Sequence, residues 1–342
     1  MRTGAMLSCS QNPSRRDGGL IEVRHLTKRY GGHIAVSDLS FTIEKGAVYG
    51  LLGPNGAGKS TTMNMMTGCL GATDGQVLID GHSIAEEPMA AKRLVGYLPE
   101  QPPLYTDMTA EEYLRFVGRA RGVPRRELFG QVERVMEKTR LTDMRARLIR
   151  NLSKGYRQRV GIAQALLCDP EIIILDEPTV GLDPVQIIEI RELIRELGHD
   201  HTLVLSSHIL SEVQAVCDRI MIISKGRLVA SDTPENLTAL MDGAASLRLV
   251  VHASGEEAAA VLDGVKGIAA YELFPDEDGV RAMLKPAEGQ DLRERLFCAF
   301  ARAERPILEM SRERASLEDV FLELTAQDDS EAPCEEKEAR AE

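Results

Sequence analysis

Residues 47–60 read Ala47-Val48-Tyr49-Gly50-Leu51-Leu52-Gly53-Pro54-Asn55-Gly56-Ala57-Gly58-Lys59-Ser60, and this stretch decides the fold. Its first half, Ala47–Leu52, is an apolar strand. Its second half fits the pattern G-x-x-x-x-G-K-[ST], and a helix is expected to open at Lys59 and run to Thr67. A strand, a glycine loop and a helix in this order form a cradle for phosphate. The glycines let the backbone curl so that several N–H groups point at one anion. The helix N-terminus adds partial positive charge. Gly53, Pro54, Asn55, Gly56, Ala57 and Gly58 line the cradle, Lys59 reaches the β- and γ-phosphates, and Ser60 and Thr61 follow at the helix start, with the Ser60 hydroxyl offered to Mg²⁺.

Working outward, strands are expected at Ile21–His25, Leu39–Ile43, Gln76–Ile79, Val95–Leu98, Glu171–Leu175, Thr202–Ser206, Arg219–Ile223 and Arg227–Ala230. The run Ile172-Ile173-Ile174-Leu175 is continuously apolar, as a central strand buried on both faces should be. Helical periodicity covers about 110–139 and 184–197; Asp183 caps the second helix, Pro184 suits its first position, Gly198 ends it, and Ile187, Ile190, Ile194 and Leu197 line one face. Strands alternating with helices give an α/β layer on a mainly parallel sheet. Asp176 and Glu177 end the apolar strand. In a parallel sheet an acid there lies beside the phosphate loop, where Asp176 can hold Mg²⁺ directly or through water and Glu177 can polarise an attacking water.

From about Ser246 the pattern restarts as β-α-β-β-α-β, the ferredoxin-like order. Its helices lie near 255–263 and along Leu292, Leu296 and Phe300, and its last strand is at Ile307–Met310. A capping-box pattern at Ser316 with Asp319 opens a closing helix. Residues 1–18 read as a flexible leader. The tail 327–342 carries seven acids and two bases and reads as solvated and disordered. The small-residue break at 242–245 marks a domain boundary, giving units at 19–243 and 244–326.

The 342 residues carry 41 basic and 53 acidic side chains, a net charge of −12, which argues against a nucleic-acid grip. Six scattered cysteines without a C-x-x-C pair read as mostly buried apolar residues in a reducing compartment. No apolar run is long enough to span a membrane, and no signal peptide is legible.

Further motifs follow in order. Asn151-Leu152-Ser153-Lys154-Gly155-Tyr156-Arg157-Gln158-Arg159 resembles the signature of the ATP-binding-cassette (ABC) transporter family, usually Leu-Ser-Gly-Gly-Gln. Gly181-Leu182-Asp183 resembles its D-loop, Ser206-Ser207-His208 its switch histidine, and Tyr30 the aromatic residue that stacks on adenine. The chain across 21–241 is therefore similar to the nucleotide-binding subunit of an ABC transporter. The resemblance implies a P-loop NTPase with a RecA-like core, an antiparallel β subdomain and a helical insertion at about 107–165. It implies ATP as nucleotide, with Mg²⁺, and two subunits sandwiching two ATPs, identical or paralogous. Ser153 and Gly155 then serve the γ-phosphate of a nucleotide held by the other subunit, and His208 senses that phosphate.

Two positions depart from the pattern: Lys154 replaces a glycine and Tyr156 a glutamine. The loop that usually carries a glutamine reads Leu98-Pro99-Glu100-Gln101-Pro102, so the Mg²⁺ ligand is Glu100 or Gln101. The Tyr97–Glu100 loop, the Leu-Ser-Lys-Gly-Tyr signature and the segment Ala315–Phe321 together resemble the ATPases of type-2 ABC exporters, including the gliding-motility, antibiotic-resistance and multidrug-like groups. That resemblance implies an integral membrane permease as partner and a place on the cytoplasmic face of the membrane. The alternative is a soluble ABC ATPase in translation or DNA maintenance, but two cassettes in one chain, or heptad coils splitting the cassette, are absent. The basic cluster from Arg140 to Arg159 lacks interleaved aromatics and reads as a solvated helical face. Pro102, Pro103, Leu104, Tyr105 and Met108 either form a docking patch for a permease helix or pack the insertion against the core.

Overall fold

The computed structural model describes residues 19–239, 246–287 and 290–313. The chain runs β1 (Ile21–Tyr30), β2 (His33–Ile43), β3 (Val48–Leu52), α1 (Lys59–Met66), β4 (Asp74–Ile79), β5 (His82–Ser83), α2 (Pro88–Arg93) and β6 (Val95–Leu98). The insertion follows: α3 (Ala110–Ala120), α4 (Arg125–Lys138), two short 3-10 turns and α5 (Lys154–Leu166). The chain returns through β7 (Ile172–Leu175), α6 (Pro184–Gly198), β8 (Thr202–Ser207), α7 (Leu210–Val216), β9 (Arg219–Ser224), β10 (Arg227–Asp232) and α8 (Pro234–Ala239).

The central sheet has the order β10-β9-β3-β8-β7-β6. All its neighbours pair in parallel except the edge strand β10. Every residue of β3, β7 and β8 is buried, which their apolar runs foretell. The two-residue alternation of the strands splits the core. Leu52, Ile173 and Leu205 face the helices α3–α6, while Leu51, Ile172 and Ile174 face a second sheet, β2-β1-β4-β5, which is antiparallel. Five parallel strands, β3, β6, β7, β8 and β9, therefore deliver their carboxyl ends to one side of the sheet, the side where open α/β sheets bind ligands.

The expected helix over 110–139 is two helices. Gly122, at φ 83°, and Pro124, whose ring cannot donate, interrupt the backbone ladder between them. Thr109 opens α3 with a capping box to Glu112, and Asp183 caps α6 by accepting from the Gln186 N–H at 2.9 Å. The strands β1 and β2 run longer than their apolar cores, because the antiparallel pairing carries on through Lys28, Arg29 and Tyr30 to His33 and Ile34.

The C-terminal segment comprises β11 (Ser246–Val251), α9 (Gly255–Asp263), β12 (Ile268–Asp276), β13 (Gly279–Pro286), α10 (Arg293–Arg302) and β14 (Ile307–Glu313). The β-α-β-β-α-β order is present, in one antiparallel sheet of order β12-β13-β11-β14. Leu292, Leu296 and Phe300 are buried against Leu247, Leu249 and Leu284, as their spacing requires. The helix expected from Ser316, the segment Ala315–Phe321, the leader, the acidic tail and the break at 242–245 lie outside the described residues. Among the described cysteines only Cys217 is buried, while Cys69 and Cys298 are exposed, so the expectation of mostly buried thiols is corrected. No helix of the described residues is long and apolar enough to cross a membrane.

Candidate active site

The loop between β3 and α1 closes tightly against the neighbouring strand. A Cβ on Gly53 would lie 2.3 Å from the Ile223 carbonyl oxygen, and Gly58, the residue before α1, has φ 102°, so both positions require glycine. Lys59 is only 6% exposed. Its ammonium donates to the carbonyls of Gly53 at 2.8 Å and Pro54 at 3.1 Å, and lies 3.5 Å from Glu177 Oε1. The loop thus folds back on its own cation.

At the end of β7, Asp176 Oδ1 accepts from the Ser60 hydroxyl at 3.1 Å and from the Ser206 hydroxyl at 2.6 Å. Burial pushes the Asp176 carboxyl above the usual carboxylate range; the two hydroxyl bonds and the Lys59 charge pull the other way, and the Glu177 charge adds to the rise. Glu177 is 7% exposed and has φ 47°, a conformation uncommon for a non-glycine residue. Its Oε2 lies 2.9 Å from Nδ1 of His208, just beyond the end of β8. Sequence spacing alone does not show that His208 and Glu177 touch; the adjacency of β7 and β8 brings them together.

Lys59, Ser60, Glu177 and His208 open into a cavity of about 540 Å³, while Asp176, bonded to Ser60, is not among its lining residues. Tyr30, Asn55, Gly56, Gly58, Lys59, Ser60, Thr61, Glu100, Glu177 and His208 line it, all expected from the sequence. His33, Ala35 and Val180 line it too and were not expected; His33 reads as an ordinary surface histidine, but the β1–β2 hairpin pairs it with Tyr30 at the cavity mouth. Tyr30 is 50% exposed, with the Lys28 ammonium over its ring 5.3 Å from the ring centre. Of the two alternatives for the glutamine position, Glu100 lines the cavity and the neighbouring Gln101 is not among its lining residues.

Ser153 and Gly155 stand elsewhere. Ser153 caps α5, accepting from the Tyr156 N–H at 3.3 Å, and both residues line a separate cavity of about 480 Å³ with Asp183 and Gln186. A Cβ on Gly155 would lie 2.7 Å from the amide end of the Gln186 side chain, so a larger residue here requires Gln186 to shift. Lys154 turns its ammonium over Gly181, where an added Cβ would meet it at 2.2 Å. Four members of the basic cluster are held by acids: Arg140 by Glu192 and Glu196, Arg145 by Glu133, Arg150 by Asp107, and Arg159 by Glu189.

Comparison with known proteins agrees with this geometry. The profile of the ABC transporter family matches residues 36–180. The uncharacterized ABC transporter ATP-binding protein YhcH of Bacillus subtilis (strain 168) is 38% identical over 311 residues, covering 90% of this chain and 96% of the relative. The Nod factor export ATP-binding protein I of Cupriavidus metallidurans is 31% identical over 325 residues, covering 90% of this chain and 98% of the relative. A solved ATP-binding subunit of an ABC transporter superposes with a TM-score of 0.59 at 33% identity, over 65% of this chain and 93% of that one. Likeness at this level, across nearly the whole of each relative, makes the chain a member of the ABC transporter family, as one of its ATP-binding and ATP-hydrolysing subunits.

Proposed function

We propose that this chain hydrolyses ATP at the cavity between the phosphate loop and the ends of β7 and β8, and that the hydrolysis drives a separate membrane permease, in the direction of export. The observation that carries the chemistry is Glu177: a buried carboxylate held between Lys59 and His208 at the place where a γ-phosphate would meet the loop. The loop amides and Lys59 bind the phosphates, Tyr30 stacks on adenine, and Glu177 takes the proton of the attacking water. His208, in contact with Glu177, reports whether the γ-phosphate is present.

The residues fit Mg²⁺. Ser60, Asp176 and Glu100 offer oxygen donors only, the set a hard cation prefers, and the raised carboxyl of Asp176 marks a buried acid that a cation would stabilise in its charged form. When bound, the ion neutralises charge on the β- and γ-phosphates. Two chains sandwich two ATPs in this reading, which is supported by Ser153 and Gly155 lining a cavity separate from that of the phosphate loop. Units at 19–243 and 244–326 divide the chain, the second as an accessory domain of the ferredoxin-like type.

The permease holds the chain at the cytoplasmic face of the membrane. Its docking surface lies beside the loop Glu100–Thr106, between the core and the insertion, where Tyr105, 51% exposed, packs on Phe116 of α3 with ring centres 5.2 Å apart and the ring planes tilted. Leu104 and Met108 are half-buried against the core, so that part of the apolar segment packs the insertion. The Nod factor export relative supports the exporter reading. The test is phosphate release from ATP: the wild-type chain turns over, Glu177→Gln binds ATP without turning over, and equal rates in the two would remove Glu177 as the base.

A further inference from the structure

Three consecutive residues where β8 ends, Ser206, Ser207 and His208, are linked to the segment 176–179, Ser206 and His208 directly and Ser207 through Glu212. His208 meets the Glu177 carboxylate. Ser207 points to the opposite side of the strand, where its hydroxyl donates to Glu212 at 3.0 Å, and the same Glu212 oxygen accepts from Thr179 at 2.5 Å. Ser206 makes the most consequential contact. It is fully buried, and its one hydroxyl serves two partners: it donates to Asp176 Oδ1 at 2.6 Å and accepts the backbone N–H of Glu177 at 2.8 Å.

The peptide N–H that Ser206 holds belongs to the residue with φ 47°. A carboxylate on such a backbone keeps one direction only if its surroundings fix the peptide, since ordinary φ values would turn the side chain elsewhere. The Ser206 oxygen is the acceptor found for that N–H, and it is tied in turn to the neighbouring acid. Asp176 and the Glu177 backbone are thereby locked to one strand, β8, which also carries His208 toward the Glu177 side chain.

We infer that Ser206 is a positioning residue for ATP hydrolysis: its hydroxyl sets the distance between the carboxylate of Asp176 and the backbone of Glu177, and so aims the Glu177 carboxylate. This rests on the reading of Glu177 as the base. Alanine at this position leaves the N–H of Glu177 without its acceptor and frees the peptide to turn, while the phosphate loop and Lys59, on β3 and α1, keep their contacts.

The experiment compares the full chain with Ser206→Ala and Glu177→Gln, measuring kcat, KM, ATP affinity by fluorescence titration and melting temperature. Ser206→Ala is expected to lose about 100-fold in kcat, the size of loss that follows a misplacement of about 1 Å, with ATP affinity kept within about threefold. A hydroxyl with a merely structural role would lower the melting temperature and leave kcat of the folded protein unchanged; that result overturns the inference. A loss confined to ATP affinity, with kcat kept, overturns it equally. Wild-type turnover in Glu177→Gln would instead remove the base itself, whatever Ser206→Ala does, so the two failures are distinguishable.

Discussion

Lys59→Ala is the perturbation whose size the structure defines best. The ammonium is 6% exposed and spends two donors on the carbonyls of Gly53 and Pro54, at 2.8 and 3.1 Å. Its third faces Glu177 at 3.5 Å, too long for a good hydrogen bond and therefore available to a phosphate oxygen. A charge-assisted hydrogen bond of this kind contributes about 1.5–3 kcal/mol. Losing one at about 2–3 kcal/mol weakens ATP binding roughly 30- to 150-fold, at about 1.4 kcal/mol per tenfold. A second effect has the same sign: Glu177, no longer beside a cation, repels the incoming phosphates more strongly. Titration with a ribose-labelled fluorescent ATP analogue measures the dissociation constant, and a thermal melt of the same sample shows that the chain is folded. A folded Lys59→Ala chain that binds within about threefold of wild type would refute the reasoning, because no other lysine or arginine lines the cavity among the described residues.

Three further outcomes are expected. Ser153→Arg places a bulky cation where the opposite subunit's γ-phosphate docks, so steady-state hydrolysis should collapse while the isolated chain still binds ATP; full activity would argue against the shared site. Tyr105→Asp should abolish co-purification with the permease and transport, with basal hydrolysis retained, whereas an intact complex would move the docking surface elsewhere. In alkali, burial pushes the Tyr113 hydroxyl up to about 12 from an ordinary 10.0, so the folded chain holds that proton more tightly than the unfolded one. The stability this supplies is whole below pH 10 and is lost as pH rises toward about 12; denaturant melts should show a decline in that window that Tyr113→Phe flattens.

Much of this architecture is legible in the residues because local chemistry and fold agree. The run Ile172–Leu175 has the pattern of a doubly buried strand, and Asp183-Pro184 marks a helix start ahead of the apolar face Ile187, Ile190, Ile194 and Leu197. The phosphate loop combines glycine conformations, a preceding strand and a following helix, so its six-residue cradle is readable as a unit. The sequence pattern over 110–139 reads as one helix although Gly122 and Pro124 announce the break, since the apolar periodicity of α4 resumes nearly in phase with that of α3.

Other features depend on neighbours distant in sequence. Whether Glu100 or Gln101 faces the nucleotide turns on the path of a loop that no periodicity fixes. His33 enters the cavity only because β1 and β2 pair beyond their apolar residues. In sequence Ser206 is only the run-up to a histidine, and its double hydrogen bond exists because β8 lies against β7. A buried hydroxyl carries no mark in sequence that separates it from any other serine in a strand.

The shared-site dimer is tested most directly by light scattering on Glu177→Gln with saturating ATP. The account predicts that the mass doubles on adding ATP, that each chain retains one unhydrolysed nucleotide, and that adding Ser153→Arg to the same chain restores the monomer with ATP still bound. A Glu177→Gln chain that stays monomeric at saturating ATP, or a dimer indifferent to Ser153→Arg, would contradict it.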